Sequence, residues 1–197
     1  MTRLKSLRFR FPDSPEFLAE AWRLRLKFSP DGLGWDVPSG DPTEFDSFDL
    51  DAVHVGVTAR DRLVGYWRLL DTAGPCLLKA QLPGLPEDWA LPRSSRLWQA
   101  SRFAVRPHHP DGREIGRMLV REAMACGRDL GAERLVAVAQ PPLERFLRRH
   151  GLAVERVAGP VTVARDAGGR DIRAVLISWE TGLVPLADAP PAERRAA

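Results

Sequence analysis

Two hydrophobic periods alternate along the chain. Phe17, Leu18, Ala21, Trp22 and Leu24 recur at helical spacing after Ser14-Pro15-Glu16, where a serine cap, a proline at the first helical position and a carboxylate at the positive dipole end start a helix. The Ser29-Pro30-Asp31-Gly32 cluster stops it, and 29–47 reads as a long loop, a length that in compact domains often marks a binding segment. Val53, Val55 and Val57, then 63–70, predict two strands joined in a hairpin across Arg60-Asp61-Arg62. Further strands are predicted at 76–78 and, beyond the proline-marked connection 83–92, at 97–105. Ile115, Met118, Leu119, Ala123, Cys126 and Leu130 form one helical stripe over 113–130, ended by Gly131. The apolar run 135–139 predicts a buried strand, Pro141-Pro142 opens a helix that Gly151 closes, and strands at 161–164 and 172–179 follow. This order is that of an α/β domain, a mixed central sheet flanked by helices on both faces. On this reading 1–185 form a single domain and 186–197, rich in proline and in alternating small and charged residues, a disordered tail.

Composition narrows the class. A chain of 197 residues, 44% hydrophobic, supports one buried core. The basic opening lacks the apolar stretch of a secretory signal and no later run reaches the length of a membrane span, so a cytoplasmic location and no membrane partner are expected. Cys76 and Cys126 have no CxxC neighbour, and His54, His108, His109 and His150 lack metal-ligand spacing; no disulfide, metal or tightly bound cofactor is expected. The net charge of +3 arises from arginines scattered among acids rather than a basic, aromatic-interleaved helix, which argues against nucleic acid.

Three stretches in order, GLGWDV, EFDSFD and WRLLDTAGP, followed by WQASRFAVRP, resemble the acyl-homoserine-lactone synthase (LuxI-type) family. Arg25, Trp35, Asp46, Asp49, Arg68 and 98–103 stand at near-family spacing, and LERFLRRHG resembles the segment before the family's last strands. The resemblance implies a GNAT-like acyltransferase fold whose splayed central strands hold an acyl thioester. It implies an enzyme that joins the α-amine of S-adenosylmethionine to that acyl group, taken from acyl carrier protein or coenzyme A, and releases methylthioadenosine. The general coenzyme A pyrophosphate turn is represented by Gly112-Arg113-Glu114-Ile115-Gly116, which an ordinary turn before a helix would equally explain.

The residue chemistry fits these demands. By resemblance, Arg25, Trp35, Asp46, Asp49, Arg68, Arg102 and Phe103 lie at the S-adenosylmethionine pocket: the aspartates supply a negative face, Trp35 a cation-binding ring, and the arginines hold carboxylates or orient the aspartates. The same aspartates equally suit an ordinary turn, although Arg68 and Arg102 sit amid apolar strand residues where a charge needs a partner. Gln99, Arg102 and Asp46 are the candidate catalytic residues. Trp98, Phe103, Val138, Leu143 and Phe146 are candidate acyl contacts, each equally at home in a core. Arg145, Arg148 and Arg149 form a basic helix face suited to an acidic carrier protein or simply to solvent.

The chain departs from the family pattern at several positions. Gln99 replaces a glutamate and takes no proton; Ser29, Asp71 and Leu82 also differ, with Phe28 one place early. Two alternatives therefore stay open: a related enzyme acylating another amine, as an N-acyl amino acid synthase does, and a non-catalytic ligand-binding descendant.

Overall fold

The computed structural model describes residues 3–26, 45–74, 94–165 and 168–182. In chain order these form β1 (Leu4–Phe9), α1 (Pro15–Leu26), a 3-10 turn (Ser47–Asp49), β2 (Val53–Ala59), β3 (Arg62–Asp71), β4 (Leu97–Val105), α2 (Gly112–Asp129), β5 (Arg134–Ala139), α3 (Pro141–Arg149), β6 (Glu155–Arg165) and β7 (Asp171–Glu180). The predicted strand 76–78, the connection 83–92, most of the loop 29–47 with Phe28, Ser29 and Trp35, Cys76, Leu82 and the tail 186–197 lie outside the described residues.

The seven strands make one sheet in the order β1-β2-β3-β4-β5-β7-β6. β2 and β3 pair as the expected hairpin, with Arg60 and Asp61 at φ 51° and 57°, the left-handed pair that a tight hairpin needs to match strand twist. β4 and β5, the parallel pair, meet only from Leu97–Gln99 against Arg134–Val136. Beyond that point β4 remains on β3 as far as Val105 and β5 on β7 as far as Ala139, so the two strands part and leave a cleft in the middle of the sheet. This is the splay of the GNAT-like fold.

Pleat alternation divides the side chains. On one face Ile115, Leu119 and Ala123 of α2 and Leu147 of α3 pack against Val55, Val57, Trp67, Leu69, Trp98, Leu135, Ile177 and Trp179. On the other, Leu18, Ala21 and Leu24 of α1 cover Phe9, Leu63, Tyr66 and Ala104, and Leu97, Val136 and Leu176 make a smaller cluster. Burying each large aliphatic side chain contributes about 1.5–3 kcal/mol. Helices thus lie on both faces, as the element order predicts.

Two elements differ from expectation. β1 is additional; its apolar residues do not alternate strictly and Lys5 and Arg8 suit an exposed edge, so no strand period marks it. β6 starts at Glu155 rather than Val161, because Gly159-Pro160 lies inside the strand at a register shift. An edge strand tolerates proline there, since its missing N–H breaks no ladder on the open side.

Candidate active site

Asp46 and Asp49 are the two ends of one capping box. Asp46 caps the 3-10 turn by accepting from the Phe48 N–H at 3.1 Å, while Asp49 accepts from the Asp46 N–H at 3.2 Å. The turn lies against the face covered by α1, where three arginines converge. Arg25, in the last turn of α1, donates to both Asp49 oxygens at 2.8 and 3.0 Å and lies 3.5 Å from Asp46. Trp22, one turn earlier on the same helix face, donates its indole N–H to Asp49 at 3.1 Å. Arg68, fully buried on β3, donates to Asp46 and Asp49 at 2.6 Å each and to the Ser101 hydroxyl at 3.1 Å; its Nη2 meets no partner among the described residues. The predicted partner for an arginine amid apolar neighbours is therefore this pair of carboxylates.

The two aspartates are not equivalent. Asp49 is 0% exposed and its oxygens are engaged by Arg25, Arg68, Trp22 and the Asp46 N–H, so it holds the arginines in place. Asp46 keeps 22% of its side chain exposed and faces Arg102, 19% exposed, at 3.1 Å. Burial pushes the Asp46 carboxyl up, but Arg68, Arg25 and Arg102 outweigh it and hold the group below the usual carboxylate range.

Arg102 reaches Asp46 through a backbone device. The β3–β4 register shifts between Tyr66 and Arg68, so Trp67 faces both Arg102 and Phe103, and Arg102 has φ 61°. This bulge turns Ser101 and Arg102 to the same side, whereas alternation would separate them. A side chain at that φ is strained by about 1 kcal/mol. Arg102→Gly should therefore be more stable than Arg102→Ala by about 1 kcal/mol in urea unfolding, although both remove the guanidinium.

His54 lies beneath the cluster, beside Arg68 in the β2–β3 register, and is fully buried. Its Nε2 is 3.0 Å from the Asp49 carbonyl oxygen and its Nδ1 2.7 Å from the Tyr66 hydroxyl. A carbonyl only accepts, so Nε2 carries the proton and the neutral ring accepts from Tyr66 at Nδ1. Desolvation holds the His54 pKa down to about 4, and burial pushes the Tyr66 hydroxyl up. Between pH 6.5 and 4 the unfolded chain therefore binds a proton that the folded chain does not. Stability is fully present above about pH 6.5 and falls by up to about 3 kcal/mol as pH drops to 4. Urea titrations over this range should show that slope, and His54→Gln should flatten it. His54, Tyr66 and Trp22 escape motif reasoning; the available signal is a histidine inside a valine strand, which needs partners on both nitrogens.

Gln99 is buried at the last β4–β5 pairing, at the apex of the cleft, on the face of Arg68 and Ser101. Of the candidate acyl contacts, Trp98, Phe103, Leu143 and Phe146 join one apolar cluster on the opposite face. Phe103 contacts Trp67 edge-on at 5.0 Å and Phe146 at 5.9 Å, an aromatic bridge from β4 to the helix after β5. Val138 does not join them; it packs with Leu97, Val136 and Leu176 across the sheet. Gly112 starts α2, and a Cβ on Gly116 would stand 2.7 Å from the Phe146 ring, so that glycine makes room for Phe146. Arg148 of α3 and Arg156 of β6 hold buried Glu144 of α3, and Arg145, Arg148 and Arg149 are all exposed. The described residues contain no group of three metal-ligating side chains and no helix long and apolar enough to cross a membrane.

Comparison with known proteins gives this arrangement a family. A model described as autoinducer synthase matches residues 13–168. The acyl-homoserine-lactone synthase of Aeromonas salmonicida is 38% identical over 144 residues, covering 70% of each chain. The solved structure of the AHL synthase LasI has a TM-score of 0.79 at 26% identity, covering 92% of this chain and 91% of its own. TofI, solved in a ternary complex with an inhibitor and MTA, has a TM-score of 0.71 at 29% identity, covering 90% of this chain and 91% of its own. With its sequence matched over most of its length, this chain belongs to the autoinducer synthase family and is an enzyme of the acyl-homoserine-lactone synthase type.

Proposed function

We propose that the protein makes an N-acyl-homoserine lactone signal from S-adenosylmethionine and an acyl thioester. The amine nitrogen attacks the thioester carbonyl and the thiol leaves. The methionine carboxylate then attacks the carbon bearing the sulfonium, closing the lactone as the carbon–sulfur bond breaks and methylthioadenosine departs. The observation that carries this reading is the Asp46–Arg102 pair at the exposed edge of the buried charge cluster, beside the parted strands. A substrate with both a cation and a carboxylate finds a complement to each there, and the LasI and TofI likenesses support the assignment.

Asp46 binds the sulfonium or ammonium end, Arg102 the carboxylate, and Arg25, Arg68 and Asp49 fix both. Trp35 belongs to this pocket by resemblance. The edge of β4 beyond Gln99 has left β5 and offers backbone donors to the carbonyl as it becomes an oxyanion. Trp98, Phe103, Leu143 and Phe146 receive the acyl chain on one face, with Val138 approaching from the other. Exposed Arg145 and Arg149 suit an acidic carrier protein, and docking of that kind weakens with salt; coenzyme A is the second donor the reading admits.

Asp46, held below the usual carboxylate range, is a weaker base than a free carboxylate, and Gln99 accepts no proton. On this reading the amine sheds its proton to water before it attacks the thioester. An α-amine titrates near pH ~8, so kcat/KM should rise with pH to a plateau with its midpoint near that value. Gln99→Glu, nearly isosteric, keeps or raises activity, most visibly below the midpoint. A fall across the whole pH range would count against this role. The proposal is tested by incubating the purified protein with S-adenosylmethionine and a panel of acyl and aroyl thioesters on both carriers, with products read by mass spectrometry. Acyl-homoserine lactone with methylthioadenosine is expected; thioester consumption only when another amine is supplied would reassign the enzyme.

A further inference from the structure

We infer that His54 and Tyr66 are positioning residues for the amine substrate, acting through the Asp46–Asp49 turn; this rests on the assignment of Asp46 to that substrate. A histidine on a strand of valines is costly to bury unless both ring nitrogens are partnered. Here both partners lead back to the charge cluster. The Nε2–H of His54 donates to the main-chain carbonyl of Asp49, the residue whose carboxylate holds Arg25 and Arg68. The Tyr66 hydroxyl donates to Nδ1, which fixes the tautomer that leaves Nε2 as the donor. The Tyr66 ring in turn lies 5.9 Å from the Arg25 guanidinium, and Arg25 returns to the Asp49 carboxylate.

These contacts close a ring through four elements: α1, the 3-10 turn, β2 and β3. Phe9 of β1 stacks on the imidazole at 4.9 Å and completes its enclosure. The ring pins the C-terminal end of the turn at both its carboxylate and its carbonyl. Asp46, three residues earlier, then has one place to stand, with one oxygen on Arg68 and the other toward Arg102. A shift of well under an ångström in the turn changes the reach of that carboxylate. The signature is therefore selective: the amine substrate loses affinity while the acyl thioester does not.

Four variants and one spectrum test this. In the unaltered protein, 15N NMR of the ring at pH 7 should show protonated Nε2 and bare Nδ1; the opposite tautomer would overturn the inference. His54→Leu, which removes the donor, should raise KM for S-adenosylmethionine about tenfold with KM for the thioester unchanged. His54→Gln, which can still donate an amide N–H, should stay within about threefold of the parent. Tyr66→Phe should raise the same KM severalfold, and it decides the question with the NMR result if His54→Leu does not fold. Unchanged kinetics in Tyr66→Phe, or equal changes in both KM values, would contradict positioning. Asp46→Asn separates the two claims: if it raises KM for S-adenosylmethionine while the His54 and Tyr66 variants do not, positioning fails alone; if it has no effect, the pocket assignment fails.

Discussion

Asp46→Asn should fold and lose about ten- to a hundredfold in kcat/KM for S-adenosylmethionine, which is the worth of a charged hydrogen bond to substrate. The fold survives because asparagine caps as well as aspartate and keeps the acceptor for the Phe48 N–H. Buried Arg25 and Arg68 keep Asp49 as a carboxylate partner, so the loss of stability should be smaller than that of Asp49→Asn. Thermal unfolding and steady-state kinetics on one preparation check both halves.

Asp49→Asn should do the reverse, destabilising the protein by about 3–5 kcal/mol. Here the carboxylate is fully buried, and its loss leaves Arg25 and Arg68 facing a neutral amide that cannot compensate either charge. Urea unfolding measures the effect, and saturating substrate should restore part of it by binding the folded state. Two aspartates three residues apart, alike in sequence, thus divide the work: one presents charge outward and the other holds the arginines that surround it.

That division was not legible in the chain. Spacing put Asp46 and Asp49 together, resemblance put Arg25, Arg68 and Arg102 near them, and the cost of an unpaired charge among apolar strand residues predicted their meeting. Burial, however, is decided by where the turn docks against α1 and β3, which no local pattern encodes. The bulge at Arg102 is invisible for the same reason: alternation assigns Ser101 and Arg102 to opposite faces, and only the register with Tyr66 and Arg68 shows them together. The apolar run 135–139 does not show which face of the sheet Val138 takes. A strand buried on both faces erases the period that would have told its faces apart. The helices and the inner strands fared better, because there hydrophobic period, caps and breakers agree: 97–105 coincides with β4, and Gly131 and Gly151 end α2 and α3 at φ 78° and 82°. β1 and the first half of β6 are edge segments with exposed, charged residues, where burial imposes no period.

The most direct test of the site is calorimetric titration of S-adenosylmethionine into the unaltered protein and into Asp46→Asn. One-to-one binding to the first, weakened at least tenfold in the second while the variant remains folded, is the predicted result. Equal affinity in the two proteins would contradict the placement of the substrate at the Asp46–Arg102 edge.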